Sequence, residues 1–447
     1  MIDTLLRYNA SAPRYTSYPP ANLFRAAEHS DNIQGIWEDS NRDEPQNLSF
    51  YFHVPFCPAR CLFCGCTSEV CHDTETIARY FKALHLEMER KLPWIEVSRK
   101  VTQIHFGGGT PTSVAPHYLQ EILETLRSRF SFAPGVEIAI ECNPAAFTEN
   151  DLKHLAALGF NRISYGIQDF SPAVLRTIGR KPSLLPVNEL VKLSRELGFS
   201  GINLDLVYGL PGQSKETFRE SIEKTVAANP DRIALFSYAH IPWIRPEQMQ
   251  MEAAGIPGPR LKIEMFLMAR EYFLKHGYIA VGMDHFVKEN DALAEALRSE
   301  DLRRNFQGYC TRKTTGQVYS FGASAISQLA GAYLQNVHDS SVYTEKILSG
   351  ENTEIRCHLL SEEERILGNM IERFMCNFKL SLTEKEFSAV REGFRMLAAL
   401  ESEGLVQRVS EREIHATELG SLVIRYLAMQ LDPLMNRAEK PVFSRTI

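Results

Sequence analysis

The segment Tyr51–Cys66, YFHVPFCPARCLFCGC, carries four cysteines within ten residues: Cys57, Cys61, Cys64 and Cys66. The first three stand at C-x3-C-x2-C spacing. Thiolates are soft ligands that select iron–sulfur clusters, zinc or copper, and a cubane cluster normally takes four of them. Three in one tight loop would hold a 4Fe–4S cube by three corners and leave one iron open to a cofactor. Cys66 lies only two residues past Cys64, and the simplest reading leaves it out of the ligand set. The alternative is a structural zinc site using all four thiolates. Zinc loops usually come as two C-x2–4-C pairs separated in sequence, and no second pair is visible here.

Other residues with chemical potential sit at the ends of apolar runs. Gly107-Gly108-Gly109-Thr110-Pro111 follows one such run, and glycines there let backbone donors approach a ligand closely. A tight strand-to-helix turn would need the same glycines. Glu141, Gln168, Asp205 and the pair Asp284-His285 close further runs. Each alone could be a satisfied structural polar group; several at one rim point to a site.

The elements that would position these residues alternate. Strands are predicted at Leu48–His53, Val101–Phe106, Val136–Glu141, Arg162–Gln168, Ile202–Tyr208, Ile233–His240 and Ile279–Phe286. Helical runs lie between them, at Thr76–Trp94, His117–Phe130, Leu152–Leu158, Val187–Leu197, Lys215–Ala228 and Leu261–His276. Thr148 and Asp151 form a capping-box pattern with Asp in place of Glu. Strands separated by helices mean βαβ units and a parallel sheet. Seven strands fall short of a closed eight-fold barrel, so the expected fold class is α/β, an incomplete, laterally open (β/α) barrel. Active sites collect at the C-terminal ends of barrel strands.

Three segments are drawn. Residues 1–47 are a proline-pinned arm containing Pro13-Arg14-Tyr15-Thr16-Ser17-Tyr18-Pro19, residues 48–345 the catalytic partial barrel, and residues 346–447 a small, mainly helical domain. In the last, helices at Ser361–Cys376 and Glu384–Glu403, a hairpin at Val406–His415 and a helix at Glu418–Leu431 suggest a winged-helix-like unit. Its Arg408, Arg412 and Arg425 are interleaved with Glu411, Glu413 and Glu418, so there is no basic stripe and no nucleic-acid partner is expected.

The cysteine spacing after a first strand resembles the signature of the radical S-adenosylmethionine superfamily. The longer string YFHVPFC…CGC resembles the oxygen-independent coproporphyrinogen III oxidase family. So do FSYAHIP (Phe236–Pro242), MDHF (Met283–Phe286), NFQGY (Asn305–Tyr309), CNF (Cys376–Phe378) and the tail Phe443-Ser444-Arg445. The resemblance implies a radical SAM partial barrel that binds a 4Fe–4S cluster on Cys57, Cys61 and Cys64. It implies two S-adenosylmethionine molecules: one at Tyr51, Gly108, Glu141 and Ile326, the other at Phe63, Gly109, Thr110, Gln168, Arg180, Asp205 and Ala239. The implied reaction is anaerobic oxidative decarboxylation of two propionates of a tetrapyrrole to vinyls, in haem biosynthesis, with an electron donor such as flavodoxin or ferredoxin. Arg14, Arg303 and Arg304 are the candidate propionate partners, because a polyanionic substrate needs guanidinium or ammonium groups. After CGC the family usually continues Asn-Lys, where this chain has Thr67-Ser68. A radical methyltransferase acting on a tetrapyrrole and a haem-carrying chaperone are the competing functions.

Composition agrees with an enzyme of a reducing compartment. The chain has 447 residues, a formal net charge of −6 and nine cysteines, dispersed apart from the one loop. That is unlike a secreted disulfide framework. No signal-peptide pattern is visible at the N-terminus and no apolar run is long enough to cross a bilayer. The expectation is a cytoplasmic monomer without membrane contact.

Overall fold

The computed structural model describes residues 1–436 and 443–445. Six strands run parallel in sequence order: β1 Leu48–Val54, β2 Val101–Gly108, β3 Phe132–Cys142, β4 Arg162–Gln168, β5 Gly201–Tyr208 and β6 Arg232–Ser237. These are the first six predicted strands, with small changes at their ends. Helices return the chain between them, and Thr148 and Asp151 do form a capping box on the helix Glu149–Leu158.

The seventh predicted strand is two. Gly282 takes φ +60°, a left-handed conformation that suits glycine. The chain folds back there into the hairpin β7 Tyr278–Val281 and β8 His285–Lys288, and β8 pairs antiparallel with β6. The seventh parallel strand comes from later in the chain: β9 Gln317–Phe321 pairs with β1. β10 Ile326–Gln328, β11 Ala332–Asn336 and β12 Glu354–Leu359 extend that edge antiparallel. The order is β12-β11-β10-β9-β1-β2-β3-β4-β5-β6-β8-β7. It has two free ends, so the sheet is open. The main sheet also runs past residue 346, since β12 is its last strand.

The two faces of β2–β6 differ by the strand period of two. Ile104, Phe106, Ile138, Ile140, Ile163, Tyr165, Ile202, Leu204, Ile233 and Leu235 are buried in the principal core. The alternate residues, among them Gln103, His105, Glu137, Glu141, Arg162, Ser164, Asn203, Asp205 and Arg232, line one cavity. The apolar face anchors the strands against helices, which leaves the opposite face free to carry polar groups.

The C-terminal part begins with the helix Glu362–Asn377. A three-stranded sheet follows, built from Lys379–Ser381, Val406–Ser410 and Glu413–Ala416. The helix predicted over 384–403 breaks at Val390, giving Glu384–Ala389 and Arg391–Ala399. The N-terminal arm is built into the core: Leu5, Tyr8, Ala12, Tyr15 and Tyr18 are all buried. Among the described residues, no helix is long and apolar enough to cross a membrane.

Candidate active site

The cysteine loop leaves the end of β1. It is tied down by a short parallel pairing of Phe56–Cys57 with Glu69–Val70 and by the Leu62 N–H on the Ile178 carbonyl. Cys57, Cys61, Cys64 and Cys66 all line a cavity of about 740 Å³. A donor addresses each sulfur of the trio. The Thr110 hydroxyl lies 3.4 Å from Cys57 Sγ, Arg180 Nη1 3.3 Å from Cys61 Sγ, and the Cys66 N–H 3.4 Å from Cys64 Sγ. Such donors favour the thiolate, the ligand form. The Cys64 thiol is held down to about 6, first by the Cys66 side chain and further by Arg245 and Arg180, whereas burial pushes Cys57 up.

Three cysteine sulfurs on one loop, each met by a hydrogen-bond donor, suit a thiolate-held cluster. All nine cysteines are free thiols. Among the described residues, no three His, Cys, Asp or Glu side chains converge as ligands of one ion.

The glycine turn ending β2 is locked onto the same loop. The Gly109 N–H donates to the Val54 carbonyl and the Thr110 N–H to the Phe56 carbonyl, each at 2.8 Å. Gly108 has φ +114°, and a Cβ there would fall 2.6 Å from the His53 ring; at Gly109 it would fall 2.7 Å from the Pro55 carbonyl oxygen. Only glycine allows this approach. Glu141 faces the turn, accepting from the Gly108 N–H at 3.2 Å and from His105 Nε2 at 3.1 Å. Burial raises its carboxyl, but these bonds outweigh burial and hold it below its usual value.

Strand register then sets a polar row across the sheet: Glu141 pairs with Ser164, Ser164 with Asn203, and Asn203 with Arg232. Asp205 lies two residues beyond Asn203. It accepts from Asn203 Nδ2 at 2.7 Å and Ser164 Oγ at 3.0 Å. Burial, with Glu141 as a second cause, pushes its carboxyl up to about 6. A partly buried carboxylate whose hydrogen-bond donors are neutral is a receptor for a cation. Gln168, in the left-handed region at φ +69°, and Phe63, Arg180 and Ala239 line the same cavity. Two of the expected residues do not line it. Tyr51 packs behind the wall, its hydroxyl 3.1 Å from His53 Nδ1. Ile326 sits in β10 opposite Gln335, where its carbonyl accepts from the Ser320 hydroxyl.

Arg14 from the arm and Arg304 from the hairpin Leu302–Asn305/Gly308–Thr311 both line the cavity. Arg304 is only 5 % exposed, and its Nη1 and the neighbouring Asn305 Nδ2 have no hydrogen-bond partner. Buried donors left unpaired are costly, so these two are suited to an incoming acceptor. Arg303 instead lines a neighbouring pocket beside Glu372. Sequence reasoning missed Ser164, Asn203 and His105. Their signal was position: Asn203 stands two residues from Asp205 on one strand, and His105 and Ser164 are polar breaks in otherwise apolar strands.

Comparison with known proteins places these features in a family. The Radical SAM superfamily pattern matches residues 51–225. The oxygen-independent coproporphyrinogen III oxidase of Escherichia coli (strain K12) is 36 % identical over 99 % of this chain and 97 % of that protein. The Synechocystis enzyme of the same name is 35 % identical over 100 % and 97 %, and that of Helicobacter pylori (strain J99) 35 % identical over 99 % and 98 %. The solved coproporphyrinogen III oxidase of Escherichia coli, described as a radical SAM enzyme, superposes with a TM-score of 0.88 at 35 % identity, covering 94 % of this chain and 97 % of that one.

Proposed function

The chain belongs to the oxygen-independent coproporphyrinogen III oxidases of the radical SAM superfamily, and from that premise we propose how its residues divide the work. The reaction is the oxidative decarboxylation of two propionates of coproporphyrinogen III to vinyls, giving protoporphyrinogen IX. Each event removes one β-hydrogen atom, one carbon dioxide and one electron from a propionate carboxylate. When bound, a 4Fe–4S cluster and S-adenosylmethionine supply the carbon radical that takes the hydrogen atom; the protein supplies binding, orientation and exclusion of side reactions.

Cys57, Cys61 and Cys64 hold the cluster, and Cys66 stands beside Cys64 without ligating. Gly108 and Glu141 serve the first S-adenosylmethionine directly, the glycine-turn backbone and the Glu141 carboxylate suiting its ammonium and ribose groups, while Tyr51 and Ile326, outside the cavity lining, act only by packing around that site. Phe63, Gly109, Thr110, Gln168, Arg180, Asp205 and Ala239 serve the second, with the Asp205 carboxylate facing positive charge. Arg14 and Arg304 hold propionate carboxylates in the same cavity, so that hydrogen abstraction occurs between two fixed partners. The main sheet that carries the chemistry runs from Leu48 to Leu359, past the boundary at 345 expected from the sequence, with 1–47 as the arm and the part from the helix Glu362–Asn377 onward as the appended domain. The chain acts as a cytoplasmic monomer and takes its electron from a flavodoxin- or ferredoxin-type donor.

The observation that carries this reading is one cavity lined together by the cysteine thiols, by Glu141 and Asp205 and by Arg14 and Arg304, the last with a buried Nη1 that has no hydrogen-bond partner. Anaerobic incubation with coproporphyrinogen III, reductant and S-adenosylmethionine tests it by product mass. Loss of carbon dioxide and two hydrogens per vinyl is expected. A gain of one methylene would instead identify a methyltransferase, and haem retention without any mass change a carrier.

A further inference from the structure

Two residues of the arm, Arg14 and Thr16, line the cavity, and the backbone that carries them is gripped by the C-terminal part. Arg425, on the helix Ile424–Met429 and only 4 % exposed, donates from Nε to the Pro13 carbonyl at 3.1 Å and from Nη2 to the Ala12 carbonyl. It also holds the chain's tail, through the Arg445 carbonyl at 2.7 Å and the Ser444 carbonyl at 3.0 Å. Arg304 Nε donates to the Arg14 carbonyl at 3.2 Å. Three successive arm carbonyls are therefore each bound by a guanidinium, and charge-assisted bonds of this kind are the strong ones.

The side chains are sorted by the same grip. Asp432, fully buried, accepts from the Tyr15 and Tyr18 hydroxyls, both at 2.9 Å. Tyr15 has φ +47°, a left-handed conformation that a tyrosine keeps only when its surroundings impose it. With Tyr15 and Tyr18 directed to Asp432, Arg14 and Thr16 line the main cavity. Arg14 also borders a small pocket with Asp284 and Arg425. Arg14 and Arg304 are the leading cationic neighbours acting on the buried Arg425 guanidinium, which is pushed down to about 9 chiefly by burial. Asp284 already accepts from His285 at 2.7 Å. The cluster thus carries more positive than negative charge, and its surplus faces the cavity through Arg14.

We propose that Arg425 and Asp432, both outside the barrel, are positioning residues that hold the arm so that Arg14 presents its guanidinium to a substrate carboxylate. This rests on the reading of Arg14 as a propionate partner. A latch of this kind makes productive substrate binding depend on docking of the C-terminal helices.

The test uses full-length, anaerobically reconstituted protein and the variants Arg14→Ala, Asp432→Asn, Tyr15→Phe with Tyr18→Phe, and Arg14→Ala with Asp432→Asn. Iron content should match the parent in all four, and substrate-free cleavage of S-adenosylmethionine should match it in Asp432→Asn and in the tyrosine pair. The KM for coproporphyrinogen III should rise on the order of tenfold in Arg14→Ala, and nearly as far in Asp432→Asn and in the tyrosine pair. Because Asp432 acts through Arg14, the combined variant should be no worse than Arg14→Ala, the non-additivity expected of coupled residues. Amides of residues 12–18 should exchange hydrogen faster in Asp432→Asn. A parental KM in both Asp432→Asn and the tyrosine pair, multiplicative effects in the combined variant, or unchanged exchange would each overturn the latch. The tyrosine pair decides the matter should Asp432→Asn fail to fold. Failure of the parent to convert coproporphyrinogen III would instead refute the substrate reading, while the exchange measurement would still decide the latch.

Discussion

Replacing Asp205 by Asn should make the chain more stable and a poorer enzyme. The carboxyl rises from 3.8 to about 6, through burial and then through Glu141. At about 1.4 kcal/mol per unit, the ionised form in the folded chain is penalised by about 3 kcal/mol. The sign is the reverse of a salt-bridged carboxylate. Well below pH 3.8 the group is neutral, folded or unfolded, and nothing is lost. As pH rises through 4 to 6 the unfolded chain ionises first, and stability falls until both states are charged. An Asn amide can accept from Asn203 and donate to Ser164, so it keeps both contacts and carries no charge. Denaturant unfolding of the cluster-free chain should therefore show Asp205→Asn gaining less than about 2 kcal/mol at pH 5 and about 3 kcal/mol at pH 7.5. Equilibrium dialysis of the loaded enzyme should show fewer S-adenosylmethionine molecules bound, with full iron and reduced turnover. A variant less stable than the parent at pH 7.5, or a gain independent of pH, would refute the electrostatic argument. Unchanged stoichiometry and activity would remove Asp205 from the second cofactor.

Three further outcomes are expected. Serine at Cys57, Cys61 or Cys64 should abolish the iron content and the EPR signal of the reduced cluster, while Cys66→Ser retains both. Gly109→Ala should lower S-adenosylmethionine affinity on the order of tenfold or more, measured by dialysis, because its Cβ would press on the Pro55 carbonyl at 2.7 Å and overpacking there costs about 1–3 kcal/mol. Deleting residues 1–20 should leave the cysteine loop intact and stop vinyl formation. It should also lower the thermal midpoint, since it strips the buried Leu5, Tyr8, Tyr15 and Tyr18 from the core; mass spectrometry and thermal unfolding together check it.

Local signals were enough to read much of this protein. The C-x3-C-x2-C loop and the GGGTP turn are contiguous, and their spacing already states which ligand chemistry they suit. Six parallel strands were legible because apolar runs and helical periods alternate over short stretches, as βαβ units require. Thr148 and Asp151 announced a helix start by a pattern four residues long. What tertiary structure alone decided depends on pairs distant in sequence. The strand read over 279–286 became a hairpin, since its turn at Gly282 answers to the neighbouring edge of β6. β9–β12 escaped notice because they are short and pair with one another and with β1, which lies some 270 residues earlier in β9's case. The arm, aperiodic in sequence, is held by Arg425 and Asp432 from the other end of the chain, over more than 400 residues. Arg303 and Arg304 are adjacent in sequence and both border the side pocket, yet strand alternation lets only Arg304 line the main cavity. Residue type and short spacing set which chemistry is possible. Which guanidinium faces which carboxylate is set by packing, because only the folded core fixes the directions of side chains so far apart in the chain.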